Sequence, residues 1–398
     1  MFKSWYTKFS SQPHQPFFTS GMIFLILFMS LLFGAYSHKL SLQVSVVDFH
    51  VYPMLFIIFA QFFLGFLFVV FPKFLMQAEL SPQMYMPLFW TYLVGSLLFF
   101  VGLFTLSFVQ TSGMFIVLIA QILSFYKLFL IQKKSLMKNK NDTLWILIAF
   151  ASGIVSHILF FILSIVPNLT PVLQVVATNV GFYLFLFALI FTISQRMIPQ
   201  FTGFKIKEYA INKTPYLVEI VYGLLSAKVC SVIFDHPLSN LLIDTALLIL
   251  FTRELWRWKL PLFKVPAIIW ILYLALLWIP IGFFFSTLID LSILFWGQTF
   301  MVEKVVIHTF ALGYFTTILI GFGTRVVLGH SGRTPNADKI AIALFIFLQL
   351  IVLIRLFASV SSNFGFDYIF WINHSALLLV FALFAWSIKY LWILIKGV

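Results

Sequence analysis

The chain has 398 residues, 62% of them hydrophobic and 9% charged, with a mean hydropathy of +1.06 and 52 Phe, 14 Tyr and 11 Trp. Water-soluble domains carry about 25% charged residues, so this chain has too little polar surface to face water and its exterior must lie in a lipid bilayer. The net charge of +13 comes without an aromatic-basic single-strand motif or a basic helix outside the apolar segments, which excludes a nucleic-acid partner. The lone Cys230 excludes both a disulfide framework and a multi-thiolate metal site, so any metal must be bound through histidine.

Apolar runs punctuated by charge, Pro and Gly predict one all-α polytopic membrane domain over residues 1–398 with about twelve spans. They lie near 17–37, 51–73, 86–108, 109–131, 143–166, 170–195, 215–233, 236–253, 265–288, 302–327, 338–358 and 369–395. Most hold about 18–25 residues, enough for a hydrocarbon core of about 30 Å. The first follows Lys3 and Lys8 and exceeds the apolar core of a signal peptide, which predicts an uncleaved helix. If that helix runs outward, 21 of the 25 Lys and Arg residues fall at cytoplasmic ends and loops; the exceptions are Lys39, Lys228, Lys304 and Arg355. This asymmetry places both termini in the cytoplasm. The cluster Lys127, Lys133, Lys134, Lys138 and Lys140 predicts contact with anionic lipid. Lys73, Arg196 and Arg325 each close a span, 123 and 129 residues apart. That spacing suits three units of four helices, although the positive-inside rule alone also produces it.

Ionisable groups inside a span cost about 2.5–3.5 kcal/mol each at its centre, so each one needs a reason. Lys228 and Asp244 flank the short turn Asp235-His236-Pro237, close enough in depth for the lysine to reach the carboxylate. A structural ion pair is the first reading and a proton path the second. His157, His308 and His374 fall inside spans 5, 10 and 12. Counted from their cytoplasmic anchors at 1.5 Å per residue, they stand about 21, 26 and 23 Å from the inner face, one layer in the outer half. Neutral imidazole is the common metal ligand and the usual axial ligand of haem, and phenylalanine-rich helices suit a porphyrin. The competing reading is that each ring bonds a carbonyl or hydroxyl between helices. His50, at the outer entrance of span 2, stands above this layer, where it could hold a metal with Asp48 or Tyr52 or simply cap the helix. The stretch Gly329-His330-Ser331-Gly332-Arg333 reads as a helix-ending turn, with a backbone nest for an anion as the alternative. No nucleophile elbow, phosphate-binding loop or zinc-protease helix occurs, which disfavours hydrolase and nucleotide-driven chemistry.

The run from His308 through Gly313 to Thr317, followed by Thr324-Arg325 and Gly329-His330-Ser331-Gly332-Arg333, resembles the C-terminal signature of the NnrS family. Gln195-Arg196-Met197-Ile198-Pro199-Gln200-Phe201-Thr202 is similar to its G-R-x-I-P-x-F-T segment, and Pro266 to Gly282 to its P-L-L-W-x-L-H segment; Arg355 and the Trp386 to Tyr390 stretch also fit. The family's W-H-x-H-E-M motif appears as Phe49-His50-Val51-Tyr52-Pro53-Met54, so its second His and its Glu are replaced, and Tyr273 stands where the family carries another His. The resemblance implies a bacterial inner-membrane protein of the nitric-oxide and nitrosative-stress response. It implies haem, with His308 as first ligand and His157, His374 or His50 as second, and copper near His50 and Tyr52. Arg196 and Arg325 would then anchor helices at the inner face or meet haem propionates. The rival classes are a secondary transporter built on Lys228 and Asp244 and a haem-free accessory for metalloenzyme assembly.

Overall fold

A computed structural model describes residues 2–40, 42, 44–166, 171–262, 264–297 and 303–397. The expected span starts at 170 and 302 lie outside them. The described residues form thirteen helices: α1 (Phe2–Phe9), α2 (His14–Tyr36), α3 (Val47–Phe74), α4 (Pro82–Gly102), α5 (Ser107–Lys134), α6 (Asn141–Ile165), α7 (Pro171–Lys205), α8 (Leu217–Phe234), α9 (Pro237–Trp258), α10 (Ala267–Trp296), α11 (Lys304–His330), α12 (Lys339–Phe364) and α13 (Tyr368–Lys396). Eleven of them, all but α1 and α9, are long and apolar enough to cross a bilayer. The protein is an all-α, multi-pass membrane protein.

The eighth expected span is present as α9 but is less apolar than the rest. It carries Asp244 in its middle and Arg253, Glu254 and Arg257 at its end. Glu254 is buried and accepts from the Thr214 amide at 3.0 Å, from the Thr214 hydroxyl and from Arg257, while Arg257 also reaches Asn212 at 2.7 Å. The charges that lower the hydropathy of α9 thus bind the loop leading into α8.

The chain packs as two compact units, Met1–Leu189 with Ser387–Val398, and Ile190–Trp386. In the first, α4 and α5 form a close hairpin. Cβ atoms added at Gly102 and Gly113 would fall on the backbones of Gln110 and Phe99 respectively. Lipid tails are as apolar as leucine, so close backbone approach and side-chain fit, rather than escape from water, drive such pairing. Elsewhere in this unit Phe17 on α2 meets Phe68 and Phe89 edge-on at 5.6 and 5.5 Å. In the second unit α9 and α10 run antiparallel, with Phe251 stacked on Phe283 at 5.5 Å and Phe283 against Phe310 of α11 at 4.9 Å.

Three helices depart from α geometry along part of their length. α3 is π-helical at Val47–Val51 and Pro53–Phe59, α7 at Val180–Phe187 and α11 at Thr309–Thr316. These are the helices that end near Lys73, Arg196 and Arg325, and the stretches of α7 and α11 each begin sixteen residues before their arginine. In α11 the Thr316 and Thr317 hydroxyls donate to the Ala311 and Leu312 carbonyls at 2.7 and 3.1 Å, meeting acceptors that the wider turn displaces.

Candidate functional site

In the first unit, Gly153, Ser156, His157 and Phe160 form one buried stripe of α6 at helical spacing. The stripe presents His157, 0% exposed, to α3 and α5. Its Nε2 lies 2.8 Å from the Tyr52 hydroxyl and its Nδ1 2.6 Å from Gln121 Oε1. Tyr52 donating to Nε2 while Nδ1–H donates to Gln121 satisfies both nitrogens of a neutral ring. The imidazole also stacks on Phe56 at 4.3 Å. Tyr52 occupies the position where the resemblance expects the family's second His, and its oxygen is committed to His157. Tyr52→Phe leaves Nε2 buried without a donor and is expected to cost about 1–3 kcal/mol of stability, read as a lowered thermal midpoint. An unchanged midpoint would show that water serves the ring equally well.

In the second unit the segments quoted for the family resemblance pack on one another. The Arg325 guanidinium lies 3.9 Å over the Phe201 ring, and the Tyr273 hydroxyl is 2.6 Å from that of Thr202. Cβ atoms built on Gly282 and Gly313 would collide with Phe310 and Trp278. Tyr273, the second position where the family's His is replaced, is fully buried like Tyr52 and has its hydroxyl satisfied. Tyrosine at both sites keeps a polar handle on an otherwise apolar helix face.

The expected haem ligands differ in what their nitrogens have left to give. His157 belongs to the first unit, with both nitrogens engaged. His308 and His374 belong to the second. Each points Nδ1 at the carbonyl one turn back, Lys304 or Phe370, at 2.7 Å. This orientation fixes the tautomer and turns Nε2 outward, as it does in metal-bound histidines. His308 Nε2 accepts from Arg355 at 3.1 Å, and Arg355 also donates to Ser359 at 2.7 Å. His374 is exposed and lies against Phe370 at 3.9 Å, beside Trp371, which packs on Phe357 of α12. His50 lies in the first turn of α3, half-buried.

Among the described residues no three His, Cys, Asp or Glu side chains converge on a metal position. The Tyr52 hydroxyl, expected beside copper with His50, is engaged with His157 Nε2. For haem, His308 combines a carbonyl-oriented Nδ1 with an Nε2 that faces the Arg355 guanidinium. A cavity of about 290 Å³ lies along α10 and α12, lined by Trp270, Trp278, Ile346 and Gln349 among others and by no histidine.

Arg333 is exposed, and its amide and that of Ser331 both bond the Leu328 carbonyl, at 3.2 and 3.3 Å. With Gly332 at φ +69° this is a helix-ending turn, its amides turned back on α11 rather than toward an anion. His330 is the last residue of α11, and Arg196 is half-buried near the end of α7.

Lys228 and Asp244 do meet. Asp235 takes the left-handed conformation at φ +47°, and His236 Nδ1 then accepts from the Ser239 amide ahead of α9, with Pro237 at its first turn. The resulting tight hairpin sets Lys228 Nζ 2.6 Å from both oxygens of Asp244. The Ser286 hydroxyl of α10 donates to the same carboxylate. Sequence reading found the pair but missed Ser286, Gln121 and Asp290, each a single polar residue in an apolar run.

These interhelical polar contacts and the bilayer-length helices define a polytopic membrane protein whose internal polar groups are largely paired. A family model described as NnrS protein matches residues 8–397, and the chain belongs to the NnrS family. No curated protein matches it.

Proposed function

We propose that the protein works in the bacterial cytoplasmic membrane, both termini inside, in handling or sensing nitric oxide and related nitrosative stress. We further propose that it carries haem on His308. The family match over residues 8–397 carries this reading, supported by the mutual packing of the family-like segments around α11. In it the Lys304 carbonyl holds His308 in the Nε2-presenting tautomer, and Arg355 yields its contact with that nitrogen. Bound haem would supply a ferrous or ferric centre able to take nitric oxide or relay one electron. Arg325 keeps α11 locked against Phe201, which fixes the height of His308.

The purified protein should show a Soret band that His308→Ala removes while the thermal midpoint stays near that of the unaltered chain. A preparation without iron or visible absorption would overturn the haem assignment. Proton-coupled uptake abolished by Asp244→Asn would move the protein into the transporter class.

A further inference from the structure

The contacts among Lys228, Asp244 and Ser286 set α8, α9 and α10 at one level. Steps of three or four residues keep to the same helix face, and α9 runs opposite to the other two. One turn from that level, toward the Asp235 turn, Lys228 is followed by Ser231, Asp244 by Asn240, and Ser286 by Asp290 with Thr287 between them. Each helix thus places oxygen at this second level. Ser231 Oγ, Asn240 Oδ1, Thr287 Oγ1 and Asp290 Oδ2 are all shielded from solvent and make no hydrogen bond among the described residues. Ser231, Thr287 and Asp290 are only 6%, 9% and 8% exposed.

A buried polar atom left unpaired costs about 1–3 kcal/mol, so four on one level of three packed helices point to an occupant. The donor set specifies it. All four atoms are oxygens, which suit a hard cation and not zinc or copper. Lys228 faces two carboxylates, Asp244, which it pairs directly, and Asp290, whose carboxyl group also meets that of Asp244, so the cluster carries one carboxylate more than its single ammonium and can balance one further positive charge. We propose that Ser231, Asn240, Thr287 and Asp290 form a binding site for a single sodium ion within the membrane. This site is separate from the haem reading and is read out without any absorption band.

The test uses the full chain in lipid nanodiscs. Radioactive sodium should bind saturably at one ion per chain, displaced by unlabelled sodium and not by choline. The thermal midpoint should rise in sodium chloride relative to choline chloride, and Asp290→Asn should abolish both effects. Should that variant fail to fold, Ser231→Ala leaves every charge in place and should weaken sodium binding several-fold. Absence of saturable binding, or binding unchanged in both variants, overturns the site. A midpoint that responds to pH but not to sodium assigns the pocket to a proton and overturns it equally.

Discussion

Lys228→Met should destabilise the protein by about 3–5 kcal/mol, the range for removing one partner of a buried ion pair. Exposed pairs are worth about 0–1 kcal/mol because water screens them and each partner is content alone. Lys228 and Asp244 have no such recourse, being 4% and 0% exposed. Without the ammonium, buried Asp244 keeps the Ser286 hydroxyl as a donor but faces the Asp290 carboxyl group with no positive charge beside it. Removing both partners together, as in Lys228→Met with Asp244→Leu, should recover much of the loss, since well-packed apolar side chains often replace a buried pair at little net cost. Unfolding midpoints of the two single variants and the double variant make the measurement. A single variant as stable as the parent would mean that water reaches the pair.

Gly113→Val should lower stability by about 3 kcal/mol or more, the upper part of the range for overpacking. The added atoms would fall on the Phe99 backbone, with the Gly95 carbonyl 2.8 Å from the new Cβ. A flexible side chain can swing aside from such a clash, but a helix backbone moves only with the whole of α4. Gly223 on α8 supplies the contrast, because a Cβ there meets nothing within 4 Å. Gly223→Ala should be neutral or gain up to about 1 kcal/mol through helix propensity. Comparable losses at both positions would show that backbone packing is not what holds the α4–α5 hairpin.

The helices were legible because apolar runs of bilayer length admit few other structures. Their ends were less so, with a consequence for chemistry. Ending the ninth span at 288 left Asp290 outside it, whereas α10 continues to Trp296 and puts Asp290 inside, one turn beyond Ser286. The histidine layer shows a second limit. Counting residues from an anchor gives height along a helix, and it gave His157, His308 and His374 similar heights. It does not tell which side of the helix each ring leaves from. His157 turns toward Tyr52 and Gln121, and His308 toward Arg355. The family resemblance located polar positions even where it expected a different residue, since Tyr52 and Tyr273 are both buried and bonded.

The π-helical stretches of α7 and α11 give the middle of the membrane some play. In a regular α-helix every amide is claimed by the carbonyl four places back, and the rod transmits a twist from end to end. Where the partner is five back, a small slip can exchange one set of bonds for the other while little main-chain polarity meets lipid. The Thr317–His330 part of α11, which carries Arg325, is thus joined to the short Lys304–His308 part through a π-helical stretch, and α7 has the same kind of joint at the same distance from Arg196. A displacement at one end of either helix would then be taken up within the main chain at this point rather than carried rigidly to the other end.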